Sequence, residues 1–214
     1  MLDNLVVRAS VRRVTGPLAR QLVRCGVSPD LVTVVGSVGT VTAALWFFPA
    51  GMFVAGTLVV TVFALFDLLD GAVARARGVC SPFGAVLDST CDRIADGSLF
   101  AGLTWWCMRL GDQPGTAVAA LISLVVCQVV SYLKARAEAS GLSANGGLVE
   151  RPERLIVALL GTFLEGIGVP RALAVSLWLL AVGSVITLGQ RMLAVRRSAA
   201  RRAESAASTG EELA

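Results

Sequence analysis

The sequence predicts an all-α polytopic membrane protein with six transmembrane helices and an N-terminal amphipathic juxtamembrane helix. Three observations carry this. Of the 214 residues 55% are hydrophobic and only 16% charged, against roughly 45–50% and about 25% in ordinary soluble domains. The apolar residues come in blocks of about 20, the length that crosses a ~30 Å hydrocarbon core. The breaks between blocks are short, and Lys and Arg crowd every second one.

Taken in order, residues 1–27 read as a cytoplasmic amphipathic segment. Arg8, Arg12, Arg13, Arg20 and Arg24 are interleaved with Leu5, Val6, Val7, Val11, Val14, Leu18, Leu22 and Val23, a mixture suited to a helix on a membrane surface. Gly16-Pro17 interrupts it, and the segment is too charged for a secretory signal peptide. Ser28-Pro29-Asp30 predicts a capped helix start with proline in the first turn. The first span then covers residues 31–48, and the tight turn Pro49-Ala50-Gly51 sends the chain back through a second span over 52–74. Further spans are expected over 83–108, 116–133, 154–167 and 171–193, the fifth being the shortest. Together they form one membrane domain over 28–195, followed by a basic, Ala/Ser-rich tail over 196–214 that is expected to be loose.

With six spans both termini lie on one side. Of the 19 basic residues only Arg109 and Arg171 fall on the other, so the positive-inside rule makes both termini cytoplasmic in a cell-membrane protein. The formal charge of +4 is accordingly read as basic loops facing anionic lipid, and nucleic acid is not an expected partner. The chain has no histidine, which removes phosphohistidine nucleophiles, Ser/His/Asp triads and imidazole-rich zinc sites. The cysteines Cys25, Cys80, Cys91, Cys107 and Cys127 show no CxxC spacing and read as packing residues. No internal repeat supports an inverted-repeat transporter.

Four aspartates stand where carboxylates are expensive. Asp67 and Asp70 lie near the cytoplasmic end of the second span, Asp88 and Asp92 in the cytoplasmic part of the third. A charge near the bilayer centre costs at least ~2.5–3.5 kcal/mol on insertion scales, so such residues face polar cavities. The i,i+3 and i,i+4 spacings put each pair on one helix face, and the short connection over 75–82 makes the two spans antiparallel neighbours with the pairs pointing at each other. Four converging carboxylates repel unless cations lie between them. Hard, oxygen-seeking Mg2+ or Mn2+ fits, and four aspartates suffice for two ions with bridging ligands. Structural ion pairs with Arg75, Arg77 and Arg93 would explain neither the shared faces nor Gly71 and Gly84, glycines that allow a ligand or a backbone to approach closely.

The run Asp67-x-x-Asp70-Gly71-x-x-Ala74-Arg75, eight residues, Gly84-x-x-x-Asp88-x-x-x-Asp92 resembles the signature of the CDP-alcohol phosphotransferases at every defined position. The resemblance extends over about residues 13–191. It implies six transmembrane helices around a polar cavity open to the cytoplasm, usually in a homodimer. It also implies transfer of the phosphatidyl group of CDP-diacylglycerol to an alcohol with release of CMP. By the same resemblance Asp67, Asp70 and Asp88 bind two metal ions, Mg2+ or Mn2+, and Asp92 both touches a metal and serves as the base for the acceptor hydroxyl. Asp30, Thr33, Gly71, Arg75 and Ser81 are the implied contacts to the CDP-lipid. This division suits the chemistry, because cations neutralise a pyrophosphate while a further carboxylate accepts a proton.

The acceptor is sought among the remaining charges at the cytoplasmic ends of spans. Lys134, Arg154 and Arg191 close or open the fourth, fifth and sixth spans, and their convergence would hold a phosphate dianion, with Arg supplying bidentate hydrogen bonds. The stretches SYLKARAEASGL and GGLVERPERLIV resemble the actinobacterial branch of the family that uses inositol 1-phosphate; Arg191 is aligned with it by position alone. Glycerol 3-phosphate would satisfy the same basic pocket and define a phosphatidylglycerophosphate synthase. A divalent-cation transporter is the reading from another class. It needs a path to the outer face, yet apart from Arg109, Asp112 and Arg171 the outer half of every span reads as apolar. Gly36, Thr40 and Gly102 are small enough to line an interface between protomers or to pack within one.

Overall fold

The computed structural model describes residues 16–77 and 81–212, without the side chains of residues 67, 68 and 204–212. Every regular element among the described residues is helical: α1 over 16–24, α2 Pro29–Phe47, α3 Phe53–Ala64, α4 Phe66–Arg77, α5 Pro82–Arg109, α6 Pro114–Ala139, α7 Arg151–Gly166 and α8 Ala172–Glu212. The chain divides into two compact units, Met1–Gly102 and Leu103–Ala214.

In the first unit α2 begins where Ser28-Pro29 predicts. The Ser28 hydroxyl accepts the Leu31 N–H at 3.2 Å and Pro29 occupies the first turn, where its missing donor leaves nothing unpaired. The chain reverses at Gly51, whose φ of 72° suits only glycine at low cost, and α3 packs back on α2. A Cβ on Gly36 would lie 2.8 Å from Phe66 Cβ, and one on Gly102 would lie 2.5 Å from the Ala44 carbonyl. Both glycines, and the buried Thr40, therefore pack within this chain. The second span, expected to be continuous over 52–74, breaks at Leu65 between α3 and α4. The Thr61 hydroxyl donates to the Thr57 carbonyl at 2.7 Å, a back-bond of the kind that bends helices. Helix α1 docks through Ala19 on Ala72 and Val73 of α4. Residues 1–15 of the expected amphipathic segment lie outside the described residues.

In the second unit α6 and α7 both pack on α8, with small and hydroxyl side chains at the seams. Ser123 Oγ donates to the Leu177 carbonyl at 3.5 Å, Cys127 Sγ lies 3.4 Å from Ser184 Oγ, and Gly161 faces Ser176. Such seams suit helices that meet in lipid, where close backbone approach and hydrogen bonds replace the hydrophobic drive. Helix α8 does not end near Leu193: the residues expected as a loose tail continue it to Glu212. Ala and Arg dominate that stretch, and both are strong helix formers. Cys25, Cys91, Cys107 and Cys127 form no disulfide, and Cys80 lies outside the described residues.

Among the described residues four helical runs are long and apolar enough to cross a membrane: Pro29–Phe47, Phe53–Arg77, Pro114–Ala139 and Ala172–Ala203. The other two expected spans differ for separate reasons. Helix α5 has 28 residues but carries Asp88, Asp92, Arg93 and Asp96, while α7 has only 16. Large apolar side chains such as Val38, Trp46 and Leu179 stand exposed, as on a surface that faces lipid rather than water.

Candidate active site

In the first unit two sets of expected site residues meet the start of α2: Asp70 and Gly71 of α4 at Thr33, and Ser81 and Gly84 at the start of α5 beside Asp30. Asp70 on α4 and Asp92 on α5 are buried, and Asp88 is half-buried. Asp67 lies on α4, and its side chain is outside the described residues. Thr33 on α2 donates its hydroxyl to Asp70 Oδ2 at 2.5 Å, and the Gly71 N–H donates to Asp70 Oδ1 at 2.5 Å. Thr33, expected to touch the CDP-lipid, thus grips a carboxylate. The Arg75 guanidinium lies over Gly71, where a Cβ would stand 3.3 Å from its Nη1. Ser81 caps α5 by accepting the Gly84 N–H at 2.8 Å. A Cβ on Gly84 would meet Ser81 Oγ at 3.0 Å and Asp30 Oδ1 at 3.3 Å, so the Asp30 carboxylate, from the first turn of α2, reaches the first turn of α5. The glycines of the sequence run are therefore places where polar side chains lie directly against backbone.

Asp92 lies beside a cation, with Arg93 Nη2 3.7 Å from its Oδ2. One helical turn further, Asp96 is also buried. The sequence reading missed this fifth carboxylate although its signal was present: it repeats the i,i+4 step of Asp88 and Asp92 on the same span. Glu165 at the end of α7 was missed too. Its carboxylate accepts the Leu173 N–H at 3.0 Å and so caps the start of α8, a structural use.

The donor set of the first unit suits a hard divalent cation. Asp70, Asp88 and Asp92 offer only carboxylate oxygens, and burial makes their charges expensive without a counter-charge. Among the described residues no three acidic or thiol side chains stand close enough to form a complete metal site by themselves.

The second unit carries the basic residues. Arg154, in the first turn of α7, is 4% exposed, and Arg191 on α8 is 6% exposed. Arg191 is committed to backbone and carboxylate partners: Nε donates to Gly146 O at 3.0 Å, Nη1 donates to Val130 O at 3.3 Å, and Nη2 lies 3.7 Å from Glu150 Oε1. Lys134 is on the surface of α6, 4.0 Å from Glu138 one turn on. The three residues expected to hold the acceptor phosphate therefore divide into two buried arginines and one half-buried lysine.

The chain belongs to the CDP-alcohol phosphatidyltransferase family, whose pattern matches residues 26–195. More particularly, it is 52% identical over 198 residues to the phosphatidylinositol phosphate synthase of Mycobacteroides abscessus, covering 92% of this chain and 90% of that one. It is 47% identical to the enzyme of that name from Corynebacterium glutamicum, covering 89% and 88%. Among solved structures, phosphatidylinositol phosphate synthase of Mycobacterium tuberculosis with CDP-DAG bound superposes with a TM-score of 0.82 at 53% identity, over 86% of this chain and 94% of that one. The same enzyme in complex with manganese and citrate gives a TM-score of 0.82 over 86% and 90%.

Proposed function

We propose that this protein transfers the phosphatidyl group of CDP-diacylglycerol to inositol 1-phosphate, giving phosphatidylinositol phosphate and CMP. The observation that carries the reading is the family run itself, with Asp70 and Asp92 buried in the helices of a largely apolar chain, a placement that such charges take only for a purpose. The synthases named above, at about half identity over nearly the whole chain, supply the acceptor.

In this reaction the inositol hydroxyl attacks the lipid-bearing phosphorus, the bond from that phosphorus to the CMP oxygen breaks, and the hydroxyl proton passes to the Asp92 carboxylate. Asp67, Asp70, Asp88 and Asp92 hold two divalent ions, Mg2+ with Mn2+ as the alternative, which neutralise the pyrophosphate. Thr33 and the Gly71 N–H orient Asp70, while Asp30, Gly71, Arg75 and Ser81 receive the CDP moiety. Lys134, Arg154 and Arg191 surround the acceptor phosphate, Arg191 offering it the Nη2 that lies 3.7 Å from Glu150 Oε1. Helices α5 and α7 join the four apolar runs to make six spans, both termini and the site face the cytoplasm, and the protein works as a homodimer.

The test is CMP release by the purified chain with CDP-diacylglycerol and Mg2+, comparing inositol 1-phosphate, glycerol 3-phosphate and free inositol. Release with inositol 1-phosphate alone is expected. Preference for glycerol 3-phosphate would overturn the acceptor, preference for free inositol the phosphate pocket, and no release at all the reaction.

A further inference from the structure

The loop between α6 and α7 is laid along one stripe of α8. The Val149 N–H donates to Thr187 Oγ1 at 2.9 Å, and Arg191 Nε donates to Gly146 O at 3.0 Å. The Ser143 N–H donates to Ser198 Oγ at 3.1 Å. Arg202 Nη1 donates to Ser140 O at 3.0 Å and to Gly141 O at 3.4 Å. The order is antiparallel throughout: as the loop advances from 140 to 149, its partners on α8 recede from 202 to 187. Those partners, Thr187, Arg191, Ser198 and Arg202, are spaced four, seven and four residues apart, which at about 3.6 residues per turn places all of them on one face.

The loop is shaped for this contact. Gly141 has a φ of 69° and a Cβ there would lie 2.7 Å from Arg202 Nη1; Gly147 has a φ of 143° and a Cβ would lie 2.6 Å from Thr187 Cγ2. At both positions the backbone conformation and the surface of α8 exclude a side chain. Two of the four partners, Ser198 and Arg202, lie beyond residue 195, where the family match ends. The part of α8 beyond the family pattern therefore grips a loop that lies within that pattern.

We propose that the extension of α8 is a brace, and that Ser198 and Arg202 are positioning residues that set affinity for the phosphorylated acceptor by fixing the loop between Lys134 and Arg154. The inference rests on the acceptor-site reading given above. Glu150, the N-cap of α7, is the residue that pairs with Arg191, so the course of the loop sets the entry geometry of the helix that carries Arg154. Ser140, held by Arg202, caps the end of α6, the helix that carries Lys134. A loop with no helix or strand of its own must be held by such contacts, since ordering it costs conformational entropy. An anion held by charges on two helices loses affinity when one of them shifts by about an ångström.

The experiment uses the full chain in liposomes with the double variant Ser198→Ala/Arg202→Ala, read by CMP release and by amide hydrogen exchange of residues 140–150. Exchange in the loop should rise by roughly tenfold or more. The KM for inositol 1-phosphate should rise about three- to tenfold, with kcat and the KM for CDP-diacylglycerol unchanged. Arg202→Lys, which keeps a cationic donor for the two carbonyls, should restore both in the Ser198 background. Gly141→Ala, which crowds the Arg202 guanidinium while leaving the sequence of α8 unaltered, should raise loop exchange in the same direction. Unchanged exchange would overturn the brace. Raised exchange with an unchanged acceptor KM, or equal rises in both KM values, would overturn its role in acceptor affinity. Absence of turnover in the unaltered chain would overturn the reaction itself and that role with it, and is told apart from failure of the brace because exchange is read without substrate.

Discussion

Replacing Thr33 by Val preserves the side-chain shape and removes the hydroxyl that donates to Asp70 Oδ2 at 2.5 Å. Because Asp70 is buried, water does not readily replace the lost donor. A hydrogen bond to a charged group contributes ~1.5–3 kcal/mol, which at about 1.4 kcal/mol per decade is roughly a 10- to 150-fold effect. Loss of a partner that orients a metal-binding carboxylate independently costs about 10- to 100-fold in metal affinity. The two estimates agree, so the Mg2+ concentration for half-maximal CMP release should rise roughly 10- to 100-fold in Thr33→Val. Turnover at saturating Mg2+ and the KM for CDP-diacylglycerol should stay within about twofold, because the lost contact acts on metal affinity alone. The assay is CMP release from CDP-diacylglycerol and inositol 1-phosphate across a Mg2+ titration. An unchanged Mg2+ midpoint with a raised donor KM would place Thr33 on the CDP-lipid itself and refute the supporting role.

Asp92→Asn keeps the volume but cannot accept the acceptor proton, so turnover should fall by about 10²- to 10⁴-fold while Mg2+-dependent binding of CDP-diacylglycerol persists in an equilibrium measurement; retained turnover would remove the base assignment. Arg154→Ala takes away a buried guanidinium, and the acceptor KM should rise by at least roughly tenfold, far more than the donor KM; equal changes would contradict its place in the acceptor pocket. A Cβ on Gly161 collides with Ser176 across the α7–α8 seam, so Gly161→Ala should lower stability by ~1–3 kcal/mol in a thermal melt. Adding Ser176→Gly should recover most of it, and failure to recover would mean that the seam is not limiting there.

Much of the functional reading was legible because it depends on local spacing. Asp67 and Asp70, or Asp88 and Asp92, share a face by helical periodicity alone, and Ser28-Pro29 announces a helix start through its own capping bond. The break at Leu65 was not legible, since a back-bonding threonine such as Thr61 bends some helices and leaves others straight. Arg191 is expected at the acceptor phosphate from its position at the end of the sixth span, and position carries no sign of the further partners that its donors take. In the structure its donors go to Val130, Gly146 and Glu150, partners 61, 45 and 41 residues away along the chain.

The sequence by itself determined the helical class, the membrane-length apolar runs, the family and the carboxylate pattern, all of which are written in composition and in periods of three or four residues. Only the tertiary structure decided that Thr33 serves Asp70 across 37 residues, that Asp96 is buried beside the expected carboxylates, and that α8 continues to clasp the α6–α7 loop. The physical reason is the same in each case. A hydroxyl or guanidinium will pair with whatever acceptor packing brings within about 3 Å, and which acceptor that is depends on helix placement over distances that no local pattern encodes.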